Sequence, residues 1–436
     1  MENLLRYQWK PYLLYGQKRD LKKNQLLYRQ GELGAGFYYL AEGKVTIKIL
    51  SDQGIERIVD YIPEGFLIGE QGFLEKPYMT TAITETKSIL YYFSNETFQE
   101  MYKEHESVRI LYMNSLIQKI RLLAETVSLL NSPVELQIAH FLHKLHHKYG
   151  SSQIPINQTS LAQYIGTSRI SIYKILKQWL KKDLIYIGNR SIYLLDIDRI
   201  ESIFKNDSTL SFEANCNYST KEATWVHAVP QQKENLNSWE SYLRYGERKF
   251  VKRKSILYKQ GDIGKGFYFI NKGLIKILTP TSERRERILD IRGSGFLIGE
   301  QAIDQMPYFS SAIAIEDSVV YYFTIDQYKN LMNTYPDFLL LFANSAIQKV
   351  KILLDGIILG TVTSEQQVAF SLLQLMDSCQ TNEINLTQQE LADYAGLTRI
   401  TVYKIIKKWK YDQLIDINKR RFIIRRPDVL KKYAAV

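Results

Sequence analysis

Cysteine is nearly absent from this sequence, since only Cys216 and Cys379 occur among 436 residues. Neither a disulfide framework nor a cysteine-held metal cluster is therefore expected. Long apolar stretches are also missing, because no run reaches the roughly 18 residues that a membrane-spanning helix needs. The N-terminal segment lacks the basic, apolar and small-residue succession of a signal peptide. We expect no membrane segment and a cytoplasmic location.

Spacings typical of enzymes are missing as well. We find no Ser/His/Asp set tied by spacing, no GxxxxGK[ST] phosphate loop and no paired catalytic carboxylates. We therefore expect no enzymatic activity and no cofactor. What the chain has in excess is positive charge, with a net +11 at pH 7, which favours an anionic partner.

The sequence is an internal duplication with a shift of 230 residues. GFLIGEQ at residues 65–71 recurs unchanged at 295–301, and GTSRISIYKI from Gly166 recurs as GLTRITVYKI from Gly396. The register holds from residue 28 to 190 without an insertion. A constant period of this kind indicates two copies of one structural unit, joined by a polar, Asn/Ser/Thr-rich linker at 205–237.

Each copy begins with short segments rich in β-branched and aromatic residues, punctuated by glycine-containing turns, which predicts a β-barrel or jelly roll. Helical patterns follow, so the predicted fold class is α+β in tandem duplication. The predicted domains are β-barrel sensor domains at 1–105 and 238–335, long pairing helices at 106–131 and 336–361, and winged helix-turn-helix domains at 132–204 and 362–436.

The long helices carry apolar stripes that step by three and four residues, as in a coiled coil. The stripe residues are Met113, Leu116, Ile120, Leu123 and Val127, and in the second copy Ala343, Ala346, Val350, Leu353 and Ile357. Large residues in one copy correspond to small ones in the other, which favours pairing of the two helices within one chain. The alternative is that each stripe packs only on its own barrel.

A new helical domain is expected where each long helix ends. Ser132 and Thr363 are predicted N-caps, followed three residues later by an acid or amide as in a capping box. Pro133 then falls at the first helical position, where its missing N–H costs nothing.

Within these domains, a short helix ends at Gly166 and a second begins at the cap Ser168, which together predict a helix-turn-helix. Two strands around Gly188–Arg190 supply a wing, and the second copy repeats every element. The candidate DNA-binding residues are Ser168, Arg169, Ile170, Ser171, Tyr173, Lys174, Lys177, Arg190, Thr398, Arg399, Ile400, Thr401, Tyr403, Lys404, Lys407 and Arg420.

The roles of these residues follow from their positions. Arg169 and Arg399 lie in the first turn, from which a recognition helix reads guanine in the major groove. The hydroxyls of Ser171 and Thr401 can bond a base edge or a phosphate, whereas the lysines and wing arginines contact phosphate. The alternative is a basic, solvated helix that binds no DNA.

At this point each half resembles a full-length member of the CRP/FNR family of transcription regulators. The resemblance covers about residues 20–200 and 250–430, and rests on the Gly-Glu turns at Gly69 and Gly299, the long helix and the LAxYxGxxRxxxYKI motif. It implies pairing through the long helices and binding to a near-palindromic operator of double-stranded DNA. One fused chain, a monomer, would then act as a pseudo-dimer, with RNA polymerase as a partner if it is an activator.

The chain departs from the family in the sensor. The cyclic-phosphate arginine is missing from MTTA at 79–82 and FSSA at 309–312, and no N-terminal cysteines are present, so cyclic AMP and an iron–sulfur cluster are not expected. The resemblance implies an effector pocket for another small molecule, or control by a partner. Its candidate residues are Gly69, Glu70, Gln71, Tyr78, Thr80, Thr81, Gly299, Glu300, Gln301, Tyr308, Ser310 and Ser311.

The recognition helices depart from the family as well. Ile170 and Ile400 stand where the family has an acid, and Lys174 and Lys404 where it has arginine. Isoleucine can contact a thymine methyl but cannot accept from cytosine, so we expect a different operator with two similar half-sites.

Two interpretations remain open beside the regulator. The chain could be an architectural DNA binder with little sequence preference, or a ligand-binding or interaction module without DNA binding. His140, His143, His146 and His147 cluster on the helix after Pro133, and His143 and His147 are spaced to share a metal. The second copy lacks histidine at these positions, so we expect a solvated or DNA-proximal face and no metal. The sequence does not decide between activation and repression.

Overall fold

The computed structural model describes residues 6–51, 54–130, 132–205, 238–280, 286–360, 362–379, 381–418 and 421–434. The expected linker, apart from the backbone of Lys205, and Cys216 within it lie outside the described residues. The chain has mixed helix and strand content and consists of two repeats of a β-sheet domain followed by helices and a helix-turn-helix domain, which confirms the predicted fold class. No helix within these described ranges is long and apolar enough to cross a membrane.

The first barrel is a sandwich of two four-stranded antiparallel sheets with orders β1-β8-β3-β6 and β2-β7-β4-β5. Its strands are β1 (Gln17–Leu21), β2 (Leu26–Tyr28), β3 (Gly36–Glu42), β4 (Lys44–Leu50), β5 (Glu56–Pro63), β6 (Leu67–Ile68), β7 (Thr81–Thr84) and β8 (Ser88–Ser94). Alternating buried and partly buried positions in β7 and β8 show the period of two that a sheet with one core face requires.

After the first barrel come α1 (Asn95–Glu104) and the long helix α2 (Glu106–Leu129), and then the first DNA-binding head. The elements of that head are α3 (Val134–Tyr149), β9 (Gln153–Ile154), α4 (Gln158–Ile165), α5 (Arg169–Lys181), β10 (Ile185–Gly188), β11 (Ser191–Leu194) and α6 (Ile197–Lys205).

The second barrel repeats the topology of the first, with sheets β12-β19-β14-β17 and β13-β18-β15-β16. Its strands are β12 (Glu247–Val251), β13 (Ile256–Tyr258), β14 (Gly266–Lys272), β15 (Ile275–Pro280), β16 (Glu286–Arg292), β17 (Leu297–Ile298), β18 (Ser311–Ala314) and β19 (Ser318–Thr324). The ladder irregularity between Ile47 and Lys48 recurs between Ile277 and Leu278, so the two barrels share even their bulges.

Two helices again lead from the barrel to a head: α7 (Ile325–Thr334) and the long helix α8 (Phe338–Leu359). The second head contains α9 (Ser364–Cys379), β20 (Glu383–Ile384), α10 (Gln388–Ala395), α11 (Arg399–Tyr411), β21 (Ile415–Asn418), β22 (Arg421–Ile424) and α12 (Pro427–Ala434).

The long helices α2 and α8 pack against each other within the chain. All ten stripe residues are buried, and they belong to one hydrophobic core that contains residues of both barrels. A Cβ placed on Gly356 of α8 would lie 3.5 Å from Cγ2 of Val127 in α2, so a small residue meets a large one there. The stripes therefore pack between the two long helices and not only on their own barrels.

The predicted caps of the two heads differ. Thr363 accepts from the backbone N–H of Gln366 at 3.4 Å, and the Gln366 side chain accepts from the backbone N–H of Thr363 at 3.1 Å, as a capping box requires. The prediction for Ser132 is wrong. Pro133 is the N-cap of α3 and no side chain caps the helix, because Pro133 has an extended ψ of 141° and so precedes the first helical residue.

A cross-repeat contact fixes α2 on the second barrel. The Arg121 guanidinium donates to both carboxylate oxygens of Asp304, at 2.7 and 2.8 Å, and also to the carbonyl oxygen of Pro307 at 2.9 Å. The second repeat has Lys351 at the position of Arg121, and a lysine cannot form this two-pronged bond. The contact is therefore made in one direction only.

We expect Arg121→Ala to lower the free energy of unfolding by about 2 kcal/mol, because a partly buried, bidentate ion pair and a carbonyl bond are lost together. Urea denaturation of Arg121→Ala, Asp304→Ala and the double variant measures the coupling between the two residues. Strictly additive effects would show that the pair contributes nothing as a pair.

Candidate nucleic-acid interface and effector pocket

The turn of each helix-turn-helix is set by a left-handed glycine. Gly166 caps α4 with φ 77° and Gly396 caps α10 with φ 72°, a conformation in which other residues are strained. The next helix then begins with a hydroxyl cap, since Ser168 accepts from the N–H of Ser171 at 3.1 Å and Thr398 from that of Thr401 at 3.2 Å. These caps are the ones that the sequence predicts.

The inner face of each recognition helix is anchored in the core of its head. Ile172, Leu176 and Trp179 of α5 are fully buried, and the indole Nε1 of Trp179 donates to Glu135 Oε1 at 2.8 Å. In the second head Trp409 is equally buried, but its Nε1 has no partner among the described residues. Burial of one face leaves the opposite face of α5 and of α11 toward solvent.

That outer face carries large apolar and aromatic residues at matched positions. Ile170 is 68% exposed and Ile400 69%, while Tyr173 and Tyr403 are about half exposed. The isoleucine and the tyrosine are three residues apart and so share one face of each helix, and a group of exposed apolar residues of this kind suits a surface that meets another molecule. The remaining exposed candidates on the two helices are Ser168, Arg169, Lys174, Lys177, Thr398, Arg399, Lys404 and Lys407.

The side chains of Ser171 and Thr401 are less exposed than those of the other candidates on the recognition helices. Both are half-buried, and each hydroxyl lies 2.9 Å from the hydroxyl of its own cap, Ser168 or Thr398. Their first role is thus to hold the start of the recognition helix. Arg190 lies exposed at the tip of the first wing, between β10 and β11, with φ 60°. Lys419 and Arg420, the expected tip of the second wing, lie outside the described residues.

The first barrel contains a cavity of about 60 Å³ against the long helices. Its wall includes Gly69, Gln71 and Thr80 of the expected effector site, together with Tyr28 and Ile47 of the barrel. Lys119 and Leu123 of α2 close one side, and Val350 and Leu354 of α8 close another. A molecule in this cavity would touch both halves of the chain.

Three other residues expected in this pocket do not line it. The carboxylate of Glu70 is fully buried and turned to α2, where it accepts from Ser115 at 2.5 Å and from Lys119. Tyr78 stacks on Tyr28 with ring centroids 4.0 Å apart and donates to the Gly36 carbonyl at 2.6 Å. The Thr81 hydroxyl accepts from the N–H of Gln30 at 3.0 Å. Each of these three side chains already has a hydrogen-bond partner within the fold, so none of them faces this cavity.

The equivalent region of the second barrel is occupied by an ion network. Arg292, which replaces Ile62 of the first repeat, donates to Asp290 Oδ2 at 2.9 Å, and Lys349 donates to the same atom at 3.2 Å. Lys349 also lies 3.6 Å from Glu300. Burial alone would raise the pKa of Asp290, but the two cations hold it below its ordinary value.

The other candidate residues of the second barrel support its frame. Tyr308 stacks on Tyr258 and donates to the Gly266 carbonyl at 2.5 Å. Gln301 donates to the buried Ser310 hydroxyl at 3.4 Å, and Ser311 accepts from the N–H of Gln260 at 3.0 Å. Gly299 adopts φ 75° at the turn before Glu300. The two barrels share a frame but differ at the pocket.

The histidines of α3 are not a solvated face, and that expectation was wrong for two of them. His140 Nε2 lies 2.8 Å from Glu125 Oε1, and His143 Nε2 lies 3.3 Å from Glu201 Oε1, in contacts that are mostly buried. Burial and His147 lower the pKa of His143 to about 4. No group of three metal-ligating side chains occurs among the described residues.

Comparison with known proteins agrees with this arrangement. Residues 18–105 and 248–335 match the family described as Cyclic nucleotide-binding domain, and residues 137–203 and 366–433 match the Crp-like helix-turn-helix domain. The Cyclic AMP receptor protein of Thermus thermophilus is 24% identical over 199 residues, which cover 44% of this chain and 90% of that protein. The cAMP-activated global transcriptional regulator CRP of Salmonella typhimurium is 24% identical over 176 residues, 38% of this chain and 83% of that protein.

Solved structures with a similar fold include FixK2 from Bradyrhizobium japonicum. The aligned part covers 44% of this chain and 98% of FixK2, with 17% identity and a TM-score of 0.41. The two pairs of domain matches define a class, that of DNA-binding transcription regulators. Within it, this chain belongs to the CRP/FNR family of transcription regulators, as two family units in tandem. The family is one of transcription regulators and not of enzymes.

Sequence reasoning overlooked the residues that join barrel, helix and head. Arg57 and Arg287 are buried charges in β5 and β16, and Lys119 and Lys349 reach the two barrels from the long helices. A charged residue kept in both copies within an apolar strand is the signal that could have revealed the arginines. The positions where the copies differ, such as Ile62 and Arg292, could have revealed that the two sensor sites are unequal.

Glu125 and Asp355 occupy the same position of α2 and α8 but have opposite pKa shifts. Burial alone would raise the pKa of Glu125, yet His140 and Lys144 lower it to about 2. For Asp355, burial outweighs the effect of Lys351 and raises the pKa to about 6. The stabilisation from Glu125 is thus lost as the pH falls from 4.5 through 2, while ionisation of Asp355 costs stability as the pH rises from 3.8 through 6.

We expect Asp355→Asn to raise the free energy of unfolding at pH 7 by about 3 kcal/mol, because the pKa is raised from 3.8 to about 6 and one pKa unit corresponds to about 1.4 kcal/mol. Urea denaturation at pH 3.5 and at pH 7 measures the effect. The gain should disappear at pH 3.5, because the Asp355 carboxyl is then protonated in the folded chain and largely protonated in the unfolded chain. Glu125→Gln is the matched variant and lowers stability at pH 7. An equal gain from Asp355→Asn at both pH values would contradict the assignment.

Proposed function

We propose that one chain binds a near-palindromic DNA operator as an intramolecular pseudo-dimer and regulates transcription in the cytoplasm. The observation that carries the proposal is the pair of recognition helices, α5 and α11, which present the same exposed residue types at the same positions. The single core that encloses both long helices supports the intramolecular arrangement. A regulator of this kind needs two heads, and the duplication supplies both.

The proposed contacts follow from chemistry at the outer face. Arg169 and Arg399 have no hydrogen-bond or ion-pair partner among the described residues, so their guanidinium groups are available to guanine O6 and N7. Ile170 and Ile400 would contact thymine methyl groups. Lys177, Lys407 and Arg190 would contact phosphate and fix the register. Since the two helices match in residue type, the two half-sites should be similar.

The proposed effector enters the cavity of the first barrel. Both lysines at this cavity already have acidic partners, because Lys119 pairs with Glu70 and Lys144 with Glu125. An anionic ligand such as a cyclic nucleotide would therefore find no unneutralised cation there. We propose a small, uncharged and largely apolar molecule, bound once per chain, because the ion network of Asp290, Arg292 and Lys349 occupies the second barrel.

Control of the heads by this molecule would pass through α8. Val350 and Leu354 line the first cavity, and Ile357, one turn further, accepts from Arg57 at 2.9 Å. Arg57 also donates to the end of α4 in the first head. Ligand and DNA would then be coupled through one shared contact, and such coupling is reciprocal. RNA polymerase is the proposed protein partner if the chain is an activator.

Selection of binding sites from random duplexes with the intact chain, at about 150 mM salt, tests the proposal. We expect an enriched motif of two related half-sites with centres about ten base pairs apart. Tight binding without a motif would favour an architectural DNA binder. No binding, with and without extracts of small metabolites, would favour an interaction module whose heads do not contact DNA.

A further inference from the structure

Arg57 and Arg287 stand at the same position of the two repeats and differ in what their guanidinium groups meet. Arg57 uses all three nitrogens: Nε donates to the Tyr164 carbonyl at 3.2 Å, Nη2 to that of Ile165 at 3.0 Å, and Nη1 to that of Ile357 at 2.9 Å. Its charge is thus met by carbonyl oxygens of the first head and of the opposite long helix.

Arg287 has the same burial without these partners. Its side chain is only 9% exposed, yet Nε and Nη1 have no hydrogen-bond partner. Burial lowers the pKa of Arg287 to about 10, while Asp393 and Tyr394 favour the charged form, so the group remains a cation at neutral pH. Asp393 itself accepts from Gln389 at 2.8 Å. A buried cation with two unused hydrogen-bond donors is costly in free energy, and a bound anion would lower that cost.

A cavity of about 60 Å³ adjoins this guanidinium at the junction of the second barrel, both long helices and the second head. It exists because the second repeat has smaller residues along its wall. Gly356, Gly360 and Ser371 replace Thr126, Leu130 and Phe141 of the first repeat. The Phe141 ring stacks on Tyr164 with centroids 3.5 Å apart, and the tyrosine at the equivalent position, Tyr394, lines the cavity instead.

The cavity also offers an unused acceptor. Gln367 donates through Nε2 to the Leu359 carbonyl at 2.6 Å, whereas its buried Oε1 has no partner. A ligand that matches both groups accepts hydrogen bonds from Arg287 and donates one to Gln367. Small oxyanions that carry a hydroxyl have this pattern, and protonated phosphate and short 2-hydroxycarboxylates are examples.

We infer that the cavity beside Arg287 is a binding site for a small hydroxyl-bearing oxyanion. The site is separate from the cavity of the first barrel and has no equivalent in the first repeat, where larger side chains and carbonyl oxygens take its place. Because it joins one barrel, both long helices and one head, its occupant would hold the second head as Arg57 holds the first. The inference does not depend on DNA binding.

Isothermal titration of the full chain with inorganic phosphate and with glycolate, at constant ionic strength in chloride, tests the site. We expect saturable binding, and a loss of about tenfold or more in affinity for Arg287→Gln, since a hydrogen bond to a charged group contributes about 1.5–3 kcal/mol. Ser371→Phe should abolish binding by filling the cavity, and it should fold because the first repeat accommodates the same ring. Arg253→Gln, on the surface of the same barrel, should leave binding unchanged.

The Arg169→Ala/Arg399→Ala variant separates this site from the DNA-binding faces, which also attract phosphate, and it should bind the anion as the unaltered chain does. The stronger of the two probes identifies the class of oxyanion. Absence of saturable binding for both probes, or unchanged affinity in Arg287→Gln or in Ser371→Phe, would overturn the inference.

Discussion

Replacing Arg169 and Arg399 together by alanine is expected to lower the affinity for the selected operator by about 30-fold to about 10⁴-fold. Each arginine that pairs with guanine contributes about 1–3 kcal/mol of discrimination, and the two heads bind as one unit. Each single variant should lose about half of this free energy and relax the preference at one half-site only. Fluorescence anisotropy at fixed salt measures the change on operator and scrambled duplexes.

The matched control is Lys23→Ala/Arg253→Ala, which removes two positive charges from equivalent exposed positions of the two barrels. It changes the net charge equally but leaves both recognition helices intact, so operator affinity should change little. Lys177→Ala/Lys407→Ala should weaken binding to operator and scrambled duplexes alike and reduce the salt dependence by about one ion per lysine. Equal losses for the arginine variant and the barrel control would mean that the arginines act only through charge.

Methionine at Arg57 and at Arg287 is expected to change stability in opposite directions. Arg57→Met should lower the free energy of unfolding by about 3–5 kcal/mol, because three buried carbonyl oxygens lose a charged donor at once. Arg287→Met should raise it by about 1–3 kcal/mol in the absence of an anion, because a buried guanidinium with two donors that lack hydrogen-bond partners is replaced by an apolar side chain of similar length. Urea denaturation in an anion-poor buffer measures both.

The two variants serve as each other's control, since they make the same substitution at the same position of two copies of one fold. Excess phosphate should narrow the difference in unfolding free energy between the two variants, because it stabilises only chains that retain Arg287. Equal destabilisation by both substitutions would show that Arg287 has partners equivalent to those of Arg57. That result would also remove the basis for the anion site.

Much of the fold could be predicted because the duplication presents every sequence pattern twice. The glycine turns at Gly166 and Gly396 and the caps Ser168 and Thr398 are local signals, and each lies where the sequence places it. The large residues of one stripe against the small ones of the other predicted that α2 and α8 would share a core. Periodicity and capping depend on near neighbours in the chain, which a sequence displays directly.

The sites inside the barrels could not be predicted in the same way. Glu70 and Tyr78 have the chemistry of a binding pocket, but each already has a hydrogen-bond partner. The partner of Glu70 is 45 positions away in the chain and that of Tyr78 is 42 positions away. Arg57 bonds to Ile357, 300 residues away, and no local pattern announces such a contact. His140 appeared to belong to a polar face because its buried partner, Glu125, lies on a different helix. Long-range partners decide which polar groups are free to bind a ligand.

The stoichiometry of the DNA complex tests the central claim most directly. Mass photometry of the intact chain, alone and on the selected two-half-site duplex, counts the chains that occupy one operator. We predict a free species of 51.0 kDa and a complex of one such chain with one duplex. Two chains on each duplex, or a stable dimer without DNA, would contradict the intramolecular pseudo-dimer.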